Sequence, residues 1–188
     1  DNDSSSSSTS STSNNNQYRD KSNPTLPGTY AEAAYWNRAA RTKDFHYAIG
    51  SANGGNTGNK GQDGHCVIIT YRNGIFQPYG TIHYYYTGQE IEYTVPEIKS
   101  QLFPITRLTI KCWGAGGAGG LKPYINYEDE MNYISPGGGG AFAQATLSVK
   151  SGDRLRLLIG GGGLPPQSEL GGLGGYGGGG NGGNALRG

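Results

Sequence analysis

The chain has 188 residues, a formal net charge of +1 and 34% hydrophobic residues, with 35 glycines and 14 tyrosines. Such a charge leaves no electrostatic footprint for nucleic acid or anionic lipid, and no apolar run approaches the roughly 20 residues of a membrane-spanning helix. Glycine stands at about two and a half times its ordinary share of roughly 7%, without collagen's strict period, so any core is small and leans on tyrosine.

The first residue is Asp1 and no signal peptide is visible, which reads as a mature or processed chain. Residues 1–27 are a Ser/Thr/Asn-rich tail or stalk whose first 17 residues cannot bury enough apolar surface to offset the entropy of ordering. A solvated spacer and a glycosylated stalk are both open readings. Asn2 lies in an Asn-Asp-Ser sequon, and Ser4, Ser5, Ser6, Ser7, Ser8, Thr9, Ser10, Ser11, Thr12 and Ser13 form an unbroken hydroxyl run suited to O-glycosylation.

Residues 28–83 read as a connector. Tyr30, Ala33, Ala34 and Tyr35 predict one short helix ending near Lys43. The stretch "SANGGNTGNKGQDG" (51–64) predicts turns, and "HCVIITYR" (65–72) a strand. Asn73-Gly74 signals a turn before the strand-like "IFQPYGTIHYYYT". Next, "QEIEYTV" (89–95) places Ile91, Tyr93 and Val95 on one face, and "TRLTIKCW" (106–113) groups Leu108, Ile110 and Cys112. "AFAQATLSVK" (141–150) and "DRLRLLIG" (153–160) read as a pair joined through Ser151-Gly152. Period-two strands without alternating helices predict a mainly β, antiparallel protein.

Catalytic motifs fare poorly. Gly114, Gly116 and Gly119 have G-x-G-x-x-G spacing, but the following "GGLKPYINYEDEMNY" contains Pro123 and lacks the period of the helix that a dinucleotide site requires. "GNKGQDGHC" (58–66) resembles a single calcium-binding nonapeptide, a unit that needs tandem copies. Glu128, Asp129 and Glu130 read first as a solvated loop face. His46, His65 and His83 lack metal-ligand spacing and a nucleophile partner. The sequence therefore points to no enzyme, no cofactor and no metal.

Glycine-dense stretches at 114–120, 137–140, 160–163 and 171–183 each adjoin a predicted strand, where a spacer would be out of place. Lacking Cβ, such stretches can pack backbone to backbone as extended threefold polyglycine II helices, provided that neighbours take up every buried N–H and C=O.

"YYTGQEIEYTVPE…LTIKCWGAGGAGG" (85–120), "PGGGGAFAQATLSVKSGDRLRLLIGGGG" (136–163) and "GGYGGGGNGGNALRG" (174–188) together resemble the glycine-rich domain of microbial surface proteins, phage tail-fibre adhesins and the anaplastic lymphoma kinase receptor ectodomain. The resemblance covers residues 84–188. It implies a jelly-roll-like β-sandwich with inserted polyglycine II helices, an extracellular or cell- or virion-surface location, and structural or binding roles. The family's domains continue past this point to a closing strand, and here 65–72 looks like that strand displaced to the front. Either 65–72 closes its own sheet or it completes the sheet of another subunit. The second arrangement predicts a fibre or filament of identical chains assembled head-to-tail by strand complementation. Cys66 and Cys112 would meet if the opening and closing strands pair, either as buried thiols or as a disulfide. The alternative is an adhesin or receptor-binding module that presents Tyr124, Tyr127, Glu128, Asp129, Glu130 and Tyr133 to a glycan or protein. Both readings involve no nucleic acid and no membrane insertion.

Overall fold

The computed structural model of the protein describes residues 30–98, 103–120, 135–167 and 171–182. Within them the chain is mainly β and contains no helix. Its strands are β1 (Tyr30–Glu32), β2 (His65–Arg72), β3 (Gly80–Tyr85), β4 (Ile91–Thr94), β5 (Ile105–Trp113), β6 (Phe142–Ser148) and β7 (Arg154–Leu157). One sheet runs β1-β6-β5-β2-β3 and the other pairs β4 with β7. Every strand pairing is antiparallel.

The strands follow the apolar alternation. Cys66 and Ile68 of β2 and Leu108 of β5 enter a core that also takes Tyr93, Val95, Leu157 and Ile159 from the smaller sheet and its flanks. The two sheets therefore face one another across a shared apolar layer. On the solvent side of the small sheet, Arg156 and Arg154 reach Glu90 and Glu92 at 2.6 and 3.5 Å, exposed pairs of little energetic weight. The other face of the large sheet is also covered: Val67, Ile69, Trp113 and Phe142 pack with Ala39, Ala40 and Ala52. Burial on both faces explains the unbroken "VII" run of β2, where a half-exposed strand would alternate.

Two expectations are corrected, and one of the two open placements of 65–72 is the one observed. The helix before Lys43 is absent. Tyr30–Glu32 instead pair with Gln144, Ala143 and Phe142 as an edge strand. Trp36 and Arg41 then take φ of 53° and 57°, a left-handed geometry that no right-handed helix accommodates. Ala39 and Ala40 become cover for Trp113, whose Nε1 donates to the Ala40 carbonyl at 3.0 Å.

The turn at Ser151-Gly152 forms, but it joins no hairpin. β6 stays in the five-stranded sheet and β7 crosses to β4, so the chain changes layer there.

Residues 65–72, finally, lie inside their own sheet. β2 pairs with β5 on one side and β3 on the other. Both its hydrogen-bonding edges are occupied, so this strand is not free to enter another subunit.

Candidate functional site

β5 runs directly into Gly114, and from there through Gly120 the backbone forms no helix, strand or turn of its own. Around this segment lie two legs of the "connector", 52–55 and 60–64, together with 135–140 and 160–163. Gly116 and Gly119 donate to the carbonyls of Gln62 and Asn59 at 2.8 and 2.9 Å. Gly117 and Gly120 donate to Gly138 and Ser135, each at 2.8 Å. Gly55 and Gly163 donate back to Gly117 and Gly116 at 2.9 and 3.0 Å. The outer members bond to each other as well: Gly140 to Ala52 at 2.6 Å, Gly137 to Gly55 at 2.8 Å and Gly61 to Gly163 at 2.9 Å. The amides of the five glycines in 114–120 thus bond across to other segments, and residues 114–120 form the hub of a backbone-to-backbone lattice.

Burial recurs at a spacing of three in 114–120, in 135–140 and on each leg of the connector, whereas Gly161 and Gly162 are buried in succession. Gly116 and Gly119 are buried, as are Gly137 and Gly140, and Ala52, Gly55, Gly61 and Gly64. At the glycines among them a side chain has no room. A Cβ on Gly116 would meet the Asn53 carbonyl, on Gly119 that of Asn56, on Gly137 that of Gly117 and on Gly140 that of Gly114. Here glycine is demanded by space. None of these glycines has a positive φ.

Four polar side chains complete the lattice by standing in for carbonyls. Asp63 Oδ1 accepts from Gly162 N–H at 2.7 Å, Asn53 Oδ1 from Ala39 at 2.8 Å, and Asn181 Oδ1 from Gly174 at 2.8 Å. Thr57 Oγ1 accepts from Ser135 at 3.0 Å. Lys60 balances the Asp63 charge at 2.8 Å. The connector 51–64 is therefore a structural member of the lattice, a reading that its turn-rich composition concealed.

The open side of the lattice is a groove of about 710 Å³ between 114–120, 160–163 and 171–182. Apart from glycine and alanine its walls carry Leu158, Leu164, Pro166, Leu173, Tyr176 and Asn181. It offers hydrogen-bonding backbone and small apolar surfaces, with no carboxylate, imidazole or thiol for acid–base or nucleophilic work. The G-x-G-x-x-G run does not present free amides to a phosphate, because Gly114, Gly116 and Gly119 donate to Ala141, Gln62 and Asn59.

Cys66 and Cys112 are directly opposed in the β2–β5 pairing. Their sulfurs lie 3.3 Å apart as free thiols. The Cys112 contact and burial together push the Cys66 thiol up, which makes it a poor nucleophile at neutral pH. Because both strands belong to one sheet of one chain, any bond between them is intramolecular. The glycosylation candidates at Asn2 and 4–13 and the recognition loop at Tyr124, Tyr127, Glu128, Asp129, Glu130 and Tyr133 lie outside the described residues. Among the described residues, no group of His, Cys, Asp and Glu has metal-binding geometry, and no helix is long and apolar enough to cross a membrane.

No family model matches the chain, and neither a curated protein nor a solved structure matches it.

Proposed function

We propose that the protein is an extracellular structural subunit of a fibre or filament, in which a rigid polyglycine II bundle is carried on a jelly-roll-like β-sandwich. The glycine-rich domains that the sequence resembles have this build. The observation that carries the reading is the lattice around 114–120, with its threefold burial, its inter-segment hydrogen bonds and its intolerance of Cβ. A backbone knitted in this way resists deformation and provides no catalytic groups, properties suited to a load-bearing or spacing element.

Donation by 65–72 is given up, and strand addition at the outer edge of the large sheet takes its place as the proposed mode of assembly. β3 supports it as acceptor. It is the outer strand of the large sheet, and Ile82 and Tyr85 on it are 40% and 54% exposed. An unpaired edge bearing apolar side chains is a template for another strand. Within each subunit we assign Cys66–Cys112 as a disulfide once the chain reaches an oxidising exterior.

Electron microscopy of the native material, followed by proline substitution at Ile82, tests this reading. Filaments that the proline shortens or abolishes, without loss of the monomer's fold, support it. Dispersed monomers at all concentrations, or single copies confined to a fibre tip, overturn it, and the second result would favour the adhesin reading.

A further inference from the structure

All three histidines of the chain, far apart in sequence, gather where residues 41–51 lie on the five-stranded sheet. The ends of this segment are fixed by main-chain bonds, Ala40 to Gly140 and Ala52 to Asp63, each at 2.9 Å. Between those anchors the backbone bonds are local turns, such as Tyr47 to Asp44 and Ser51 to Ala48 at 3.0 Å. Side chains therefore hold the segment to the sheet. Lys111 of β5 reaches Asp44 at 2.7 Å, and His65 of β2 contacts the His46 carbonyl through Nε2 and Ser51 Oγ through Nδ1, both at 3.1 Å. The ring of Tyr47 lies 5.9 Å from that of Trp113. His83 and Tyr85 of β3 close the cluster, their rings 6.3 and 5.9 Å from His65.

The charges are finely set. At neutral pH one carboxylate, Asp44, faces one ammonium, Lys111. An ammonium can only donate, so the 3.2 Å contact from Lys111 Nζ requires a lone pair on His46 Nδ1. A proton placed there would turn that contact into a repulsion, against which stands only Asp44 Oδ1, 3.4 Å from the same nitrogen and already engaged by Lys111. His65 is 1% exposed, and its ring lies 4.4 Å from Trp113, so a charge on it would be stripped of water.

We propose that residues 41–51 form a strap that mild acid releases from the sheet, through protonation of His46 and His65 beside Lys111, uncovering the apolar face around Trp113 and Val67. Arg41, Gly50 and Ala52, with φ of 57°, 87° and 59°, mark the two ends at which the strap turns. Burial, with the Lys111 charge added at His46, holds both imidazoles below their ordinary range. At His46 the Asp44 carboxylate opposes the shift, and at His65 the His46 carbonyl does so, without reversing it. Burial pushes Asp44 up, but Lys111 and the His46 N–H outweigh it, so its carboxylate persists through the same range. With folded values depressed, the strap's hold is full above about pH 6.5 and fades as pH falls through the folded values.

Hydrogen exchange on the full chain at about pH 7.5 and about pH 5 tests the proposal, after correction for intrinsic rates. Amides of 41–51 are expected to lose about tenfold or more of their protection in acid while β2 and β5 retain theirs. H46Q keeps the carbonyl that His65 uses and should reduce the loss. K111Q frees Asp44 to pair with protonated His46 and should also reduce it. H83Q removes a further positive charge that faces both imidazoles in acid and should reduce the loss by less than either. Unchanged protection of 41–51 overturns the proposal, as does equal loss across β2 and β5, or a full acid response in both H46Q and K111Q.

Discussion

The large sheet and the glycine lattice share one continuous backbone at Trp113–Gly114, yet they are specified in opposite ways. In the sheet, the identity of each side chain decides what is buried: Trp113, Phe142 and Leu108 are held by what they contribute to two apolar layers. In the lattice, what decides is the absence of a side chain wherever another backbone passes close by. Both regions satisfy their backbone groups through neighbours distant in sequence. The contrast shows that regular tertiary order does not need side-chain packing, provided that the main chain is accepted at close range on several sides.

The sharpest way to break this comparison is to add carbon to the lattice. Gly116→Val drives a side chain into the Asn53 carbonyl and should cost about 5 kcal/mol or more, leaving no folded protein in a denaturation experiment. Gly138 lies in the neighbouring tract of the same lattice, but a Cβ there meets nothing within 4 Å and its φ is not positive, so Gly138→Ala should change stability by about 0.5 kcal/mol at most. Equal effects would reduce the lattice to a linker. On the sheet side, Trp113→Ala removes a 2% exposed indole and should cost about 3–5 kcal/mol, read as an earlier urea midpoint. Between the two lies Asp63→Ala, which leaves the Gly162 N–H without its acceptor and should cost about 1–3 kcal/mol. Alkylation of Cys66 and Cys112 before and after reduction gives the smallest expected effect. Both should be blocked until reduction, with no change in subunit mass on a denaturing gel.

The sheet was largely legible. Alternation at Ile91, Tyr93 and Val95, and the β-branched run of β2, predicted strands where strands occur. Layer assignment was not legible, because a turn at Ser151-Gly152 is equally compatible with a hairpin and with a change of sheet. Four glycine tracts stood out by density. The segment 52–64 did not, since Asn, Thr, Lys, Gln and Asp separate its small residues, yet Ala52, Gly55, Gly58, Gly61 and Gly64 mark every third position. The spurious helix came from the spacing of Tyr30, Ala33 and Ala34, which an edge strand and two left-handed residues override. The histidine cluster carried no local signal, because loop closure and strand register bring its members together from three separate segments.

The hub at 114–120 also dictates an order of events as the chain folds. Its bonds reach residues far along the sequence in both directions, so no part of it can nucleate on its own, and each contact must await the closure of a long loop. Pairing of β5 with β6 sets Trp113 opposite Phe142, after which the Gly114–Ala141 bond extends that ladder into the first rung of the glycine block. The block should therefore crystallise late, outward from a finished sheet, and its arrival should be a slow kinetic phase that strand substitutions delay and lattice substitutions abolish.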